Sequence, residues 1–127
     1  MSASGASEKM DTFSMVMDDY NIVGNIIVLK KCCFVWIGVG EKVPCFDNLI
    51  TSIPCRFEQM PLSTNLLQPS SPVDSDMSLC NTISQKIAKK YQLQAFVSCS
   101  VPYSVSESCG KSIHGEIINR LSSILKL

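Results

Sequence analysis

Histidine, excess charge and long apolar runs are all scarce in this sequence. Of its 127 residues only His114 is a histidine, and its 11 basic side chains balance its 11 acidic ones. A single histidine and the absence of any C-x-x-C pair exclude the usual zinc-finger spacings. With a net charge of zero, the chain lacks the excess of basic side chains that is typical of a protein that binds nucleic acid or an anionic membrane. We therefore expect no metal, no nucleic acid and no membrane among its ligands.

The apolar segments are too short to span a bilayer, since the longest covers only residues 32–39. Residues 1–10 carry no apolar core of a secretory signal, and we predict a disordered leader there. Residues 11–127 then form a single domain. Seven cysteines without a secretory signal indicate reduced thiols that pack as small apolar side chains. We therefore expect a cytoplasmic or nuclear location.

The spacing of apolar residues predicts an α+β fold. Residues 12–17 alternate as a half-buried strand does, and the runs 26–29 and 33–37 suggest an antiparallel hairpin. Further strands are predicted over 49–57, 60–67 and 93–101, and Pro54 favours an edge position or a bulge for the first of these. A spacing of four predicts helices over 79–92 and near the C-terminus, the former following a loop at 68–78. We expect five to six strands, mainly antiparallel, with two helices on one face.

Two helices can cover only one face of this predicted sheet, because five strands span about 24 Å and each helix covers about 10 Å. The hairpin is nevertheless apolar on both sides, whereas a sheet with one face in water should alternate apolar and polar residues. We therefore expect a partner to cover the second face, unless the sheet curls over itself. The predicted partner interface has four anchors: Ile26, Val28, Phe34 and Trp36. The alternate residues are expected to face the helices: Ile27, Leu29, Val35 and Ile37.

The segment Gly110-Lys111-Ser112 resembles the second half of a phosphate-binding loop. The full pattern G-x-x-x-x-G-K-[ST] requires a glycine at position 105, where this chain has Val105. A valine obstructs the close backbone approach that glycine permits. The better interpretation is a helix that begins nearby and is capped by Ser106 or Ser108. We predict no nucleotide site here.

No other set of residues predicts catalysis. Cys109 is the best placed thiol for reactivity, because it would lie near a helix start, where the pKa of a thiol falls. Ser112, His114 and Glu116 are spaced by two residues, so a helix directs them to different sides and they form no triad. We predict no catalytic, cofactor-binding or metal site. The chain therefore reads as a binding module.

Five segments occur in an order and spacing that match a known family. They are Phe34-Val35-Trp36-Ile37-Gly38, Asn48-Leu49, Met60-Pro61-Leu62-Ser63-Thr64-Asn65-Leu66-Leu67, Ile87-Ala88-Lys89-Lys90 and Ala95-Phe96-Val97-Ser98. With them, the sequence resembles the proteasome assembly chaperone 4 family from about residue 13 to residue 125. The resemblance implies an α+β fold and a non-enzymatic role. It also implies pairing with proteasome assembly chaperone 3 and, for the heterodimer, contact with proteasome α subunits during assembly of the core-particle α-ring.

Two other classes of function stay open. A nucleotide- or thiol-dependent enzyme predicts that Lys111→Ala or Cys109→Ser abolishes function while complexes stay intact. A generic α+β adaptor subunit of another complex predicts a different co-purifying partner. The sequence also leaves open whether the isolated chain is a monomer, a self-dimer or dependent on its sister chaperone.

Overall fold

The computed structural model describes residues 9–17, 19–40, 48–54, 61–67, 77–101 and 103–125. The elements in these ranges are, in chain order, β1 (Lys9–Met17), β2 (Tyr20–Val28), β3 (Cys32–Val39), β4 (Leu49–Ile53), β5 (Leu62–Leu67), α1 (Met77–Tyr91), β6 (Gln94–Ser100) and α2 (Tyr103–Leu125). The predicted α+β class is confirmed. β1 begins at Lys9, inside the segment predicted as a leader, and residues 1–8 of that leader lie outside the described residues.

The described strands form one sheet in the order β1-β2-β3-β6-β4-β5. Every neighbouring pair is antiparallel except β3 and β6, which run parallel. The strand predicted over 49–57 ends at Ile53, before Pro54, and lies between β6 and β5. The edge position that Pro54 favoured is therefore wrong, because the proline follows the strand and removes no donor from its ladder. The described part of the sheet has β1 and β5 at its edges.

The two hairpin turns use different local chemistry. Met17 pairs with Tyr20, so the first turn has two residues, and Asp19 there has a φ of 68°. Aspartate is one of the few residues other than glycine that adopts this left-handed conformation readily. In the second turn the Leu29 N–H donates to the Cys32 carbonyl oxygen at 2.9 Å. This bond closes the predicted hairpin without an Asn-Gly pair.

Both helices bury an aliphatic stripe against the sheet. Leu79, Ile83 and Ile87 recur every four residues on α1, and all three are buried. On α2 the same spacing buries Val105, Cys109, Ile113, Ile117 and Leu121. Since α2 already begins at Tyr103, the cap predicted at Ser106 or Ser108 is wrong.

Side-chain contacts hold both helices on the same face of the sheet, which we call the helix face. Ser52 of β4 shares a 2.8 Å hydrogen bond with Ser84 of α1. Arg120 of α2 donates to Asp11 of β1 at 3.0 Å, and its guanidinium lies 5.0 Å from the centre of the Phe13 ring. The strand register places Asp11 in one row with Ile26, Val35, Val97 and Ile50. The four aliphatic residues of that row belong to the buried core, so the sheet and both helices share one core.

Candidate partner interface

The side chains that point away from α1 and α2 form the second face of the sheet, which we call the open face. No described helix packs against this face. The strand register aligns one residue from each strand in a row across it. That row consists of Met10, Ile27, Phe34, Phe96, Thr51 and Thr64. Its first four members are apolar and adjacent, so an uninterrupted apolar band crosses β1, β2, β3 and β6.

This band is only partly covered by the described chain. Met10 is 73% exposed, and Ile27, Phe34 and Phe96 are half-buried. Ile53 and its partner Leu62 add a second exposed apolar pair at the β4–β5 edge. Aromatic rings that are half-covered within their own chain can bury substantial further area against a second molecule.

Trp36 extends the apolar band along β3 toward Gly38. A Cβ atom placed on Gly38 would lie 2.4 Å from Cη2 and 2.7 Å from Cζ2 of the Trp36 indole. The ring therefore lies directly against the glycine backbone, at a distance that any larger residue would prevent. Gly38 lies within β3 and is not a turn residue. The indole thus packs on the backbone at Gly38, in the space that a side chain there would occupy.

Neutral polar pairs border the apolar band. The Thr12 hydroxyl donates to the side-chain oxygen of Asn25 at 3.0 Å, and the Ser14 hydroxyl donates to that of Asn21 at 3.2 Å. The open-face side chains of the described strands include no Lys, Arg, Asp or Glu. An apolar centre with a polar border that carries no charge matches the anatomy of protein–protein interface cores.

The structure divides the four predicted anchors between the two faces. Phe34 and Trp36 lie on the open face, whereas Ile26 and Val28 lie on the helix face with 0% and 4% exposure. The prediction that all four share one face is wrong, because Ile26 pairs with Val35 while Ile27 pairs with Phe34. The binding role of Phe34 and Trp36 stays a prediction.

The residues predicted to face the helices are divided as well. Val35 and Ile37 are fully buried on the helix face. Ile27 instead belongs to the open face, and Leu29 lies in the turn after β2 with 41% exposure. The apolar open-face residues that sequence reasoning did not place beside Phe34 are Ile27, Phe96 and Met10. Alternation along 93–101 already places Phe96 opposite Ala95 and Val97, and only the pairing register was lacking.

The described cysteines are packed thiols, as expected. All five are reduced thiols, with Cys32 half-buried and the others buried. Burial, together with the smaller effect of neighbouring Cys32, raises the pKa of Cys33 to about 12. Cys109 lies in the second turn of α2 and is 2% exposed, so it is not an accessible thiol at a helix start. Cys45 and Cys55 lie outside the described residues.

The remaining chemical candidates are not assembled into a site. Gly110-Lys111-Ser112 lies inside α2 and forms no loop. Within the described ranges no three His, Cys, Asp or Glu side chains are grouped as metal ligands. No helix in the same ranges has both the length and the apolar content needed to cross a bilayer.

Comparison with known proteins identifies the family. The family model described as Proteasome assembly chaperone 4 matches residues 21–101, which run from β2 to the end of β6. The chain belongs to the proteasome assembly chaperone 4 family. This is a family of assembly chaperones, which is not an enzyme class. The matched segment contains Phe34, Trp36 and Phe96 of the open face.

Two individual proteins extend the comparison. The chain is 27% identical over 96 residues to the human protein named Proteasome assembly chaperone 4, covering 76% of this chain and 72% of the human one. It also superposes with a TM-score of 0.78 on a chain from the crystal structure of a novel chaperone complex for yeast 20S proteasome assembly. That match covers 94% of this chain and 98% of the yeast one at 10% identity, so it establishes a shared fold.

Proposed function

We propose that this chain is a non-enzymatic chaperone that pairs with proteasome assembly chaperone 3 through its open face. The pair would then promote assembly of the α-ring of the proteasome core particle. Membership of the family supports a role in proteasome assembly. The similar yeast chain comes from a chaperone complex, which supports action as part of a pair.

One observation carries the choice of surface: the described open face is apolar at its centre and has no charged side chain. A sheet face that stays in water normally alternates with polar and charged residues. Two such faces can pack about 10 Å apart as a sandwich, with their inner side chains interdigitated. Phe34, Trp36 and Phe96 are the expected anchors, because central aromatic residues contribute most to interface affinity.

Substitution of Phe34 by arginine tests this surface. We expect Phe34→Arg to weaken binding to proteasome assembly chaperone 3 by about a hundredfold, or about 3 kcal/mol, because a guanidinium would be buried in an apolar interface. The matched control is Leu29→Arg, which introduces the same group at an exposed apolar residue of the β2–β3 turn. Binding is measured by calorimetry on variants whose thermal unfolding is cooperative. Wild-type affinity in Phe34→Arg, or equal weakening by Leu29→Arg, would contradict the proposed surface.

Reconstitution tests the role itself. With proteasome α subunits and proteasome assembly chaperone 3 present, native gels should show fewer α-rings with Phe34→Arg than with the unchanged chain. Lys111→Ala and Cys109→Ser should leave ring formation intact, whereas a loss with either would favour the enzyme alternative. Recovery of other partners from cell extract, without α subunits, would favour the adaptor alternative. We also propose a cytoplasmic or nuclear location, which subcellular fractionation tests.

A further inference from the structure

A groove of about 390 Å³ lies on the helix side of the molecule, away from the open face. The described residues that line it are Thr82, Gln85, Lys86 and Lys89 from α1 and His114 from α2. On α1, Gln85 and Lys86 lie three and four positions after Thr82, and Lys89 follows them by four and three, so the four residues form one stripe along that helix. Tyr91 joins the two helices, because its hydroxyl on α1 donates to the Ile118 carbonyl oxygen of α2 at 3.1 Å.

The charge of this groove is uncompensated within the described residues. α1 contains Lys86, Lys89 and Lys90 but no aspartate or glutamate. No ion pair in the described ranges involves these lysines. The nearest acid on α2 in sequence to His114 is Glu116, which is bound to Arg120 at 2.6 Å. Two ammonium groups therefore line the groove without a described counter-ion.

His114 adds an unsatisfied polar atom to the same groove. Its Nε2 is buried and makes no hydrogen bond within the described part of the chain. Burial lowers the pKa of His114, and the positive charge of Lys86 lowers it further. A buried polar group without a partner is unfavourable, because it has lost its hydrogen bonds to water. Nε2 itself is closed off from solvent, so an anion in the groove would act on His114 through its charge, which offsets the repulsion from Lys86.

We propose that this groove is a second protein-binding site, which accepts the carboxylate of an acidic peptide segment of a partner. Its volume lies within the range of about 300–1,000 Å³ that ligand pockets occupy, so it accommodates whole side chains. The methylene groups of Lys86, Lys89 and Gln85 provide apolar walls beneath the charges. Among the described residues the lining contains no arginine and no helix N-terminus, the donors that most often bind phosphate groups. This proposal does not depend on the pairing through the open face.

His114 provides the readout, because it is the only histidine and its ring signals are unambiguous. The labelled full chain is titrated by NMR with a short, end-blocked peptide of alternating leucine and glutamate. We expect a saturable shift of the His114 ring signals and a rise in the pKa of His114. The same peptide with glutamine in place of glutamate should cause neither change. Equal binding of the glutamine peptide, or no saturable shift with the glutamate peptide, overturns the proposal.

Charge reversal localises the binding. The double substitution Lys86→Glu/Lys89→Glu should weaken the binding of the glutamate peptide at least about tenfold. The matched control Lys30→Glu/Lys31→Glu changes the net charge equally at exposed residues of the β2–β3 turn and should weaken it less than about twofold. Thermal unfolding verifies that both variants are folded. If Lys86→Glu/Lys89→Glu is unstable, Lys86→Gln/Lys89→Gln replaces it. Equal weakening by both pairs would mean non-specific attraction and overturns the proposal. If inorganic phosphate saturates the groove and binds at least as tightly as the peptide, the groove is a site for small anions, and the proposal is overturned.

Discussion

Replacement of Gly38 by alanine tests both the position of Trp36 and its role in pairing. The added Cβ would lie 2.4, 2.7 and 3.2 Å from three atoms of the Trp36 indole, and these are its three nearest neighbours. The obstacle is therefore the outer edge of one half-buried side chain and not the backbone of the sheet. We expect the indole to rotate away from β3 while the strand keeps its register.

The expected change in stability is small because two effects oppose each other. Alanine in a strand is favoured over glycine by about 0.5–1 kcal/mol through the entropy of the unfolded chain. Displacement of the indole returns about 40 Å² of apolar surface to water, which costs about 1 kcal/mol. The free energy of unfolding should therefore change by less than about 1 kcal/mol. Pairing should weaken by about 2 kcal/mol, or about thirtyfold, because a central anchor is misplaced.

The assay uses the only tryptophan of the chain as its own reporter. In Gly38→Ala we expect the Trp36 fluorescence emission to shift to longer wavelength and the affinity for proteasome assembly chaperone 3 to fall. The control is Gly115→Ala on α2, where an added Cβ has no heavy atom within 4 Å. It should stabilise the helix by up to about 1 kcal/mol and leave emission and affinity unchanged. Unchanged emission and affinity in Gly38→Ala would refute the reasoning, as would a loss of stability above about 3 kcal/mol.

Three further predictions concern stability and one concerns pairing. Gly24→Ala should destabilise the fold by about 2–3 kcal/mol in urea unfolding, since its Cβ would lie 2.4 Å from the buried Phe13 ring; a loss below about 0.5 kcal/mol would be inconsistent with that contact. Asn48→Ala should cost about 3 kcal/mol, because the buried Asn48 amide bonds both the N–H and the carbonyl of Cys99 at 2.9 and 2.7 Å. The Cys33 pKa of about 12 exceeds the ordinary 9.0, so the unfolded chain ionises first and stability falls as pH rises above 9, by about 1 kcal/mol at pH 10; Cys33→Ala should show a flatter alkaline profile. Pairing through an uncharged face should hardly change between low and high salt, whereas a steep fall would assign it to charged residues elsewhere.

The fold class was predictable because the alternation of apolar residues in a strand and their spacing of four in a helix can each be read within a single element. The face of each residue was not, since side-chain direction depends on register and a shift of one residue reverses both faces. The hairpin has no Asn-Gly turn that would fix its register. The observed turn from Leu29 to Cys32 pairs Val28 with Cys33, which places Ile27 opposite Phe34. Phe34 and Trp36 could therefore be predicted as a pair, but not together with their neighbours on β2.

The start of α2 could have been read from the same spacing that revealed its end. Val105 and Cys109 continue the stripe of Ile113 and Ile117 at intervals of four, and all are buried. The glycine at 110 and the serines around it indicate a loop locally, because both residue types favour loops. Burial of the stripe against the sheet overrides that preference, as tertiary packing stabilises most helices in proteins.

The distribution of charge separates the two proposed binding surfaces. Among the described strands only Lys9 and Asp11 are charged, and both interact with α2. Lys9 donates a hydrogen bond to the Ile124 carbonyl oxygen, and Asp11 forms a salt bridge with Arg120. The open face of the described strands is thus left without charge. Lys86 and Lys89, which have no ion pair among the described residues, lie on the other side of the sheet. An apolar partner and an acidic one would therefore bind opposite sides of the molecule by different forces. Since neither surface includes a residue of the other, one chain could hold both partners at once.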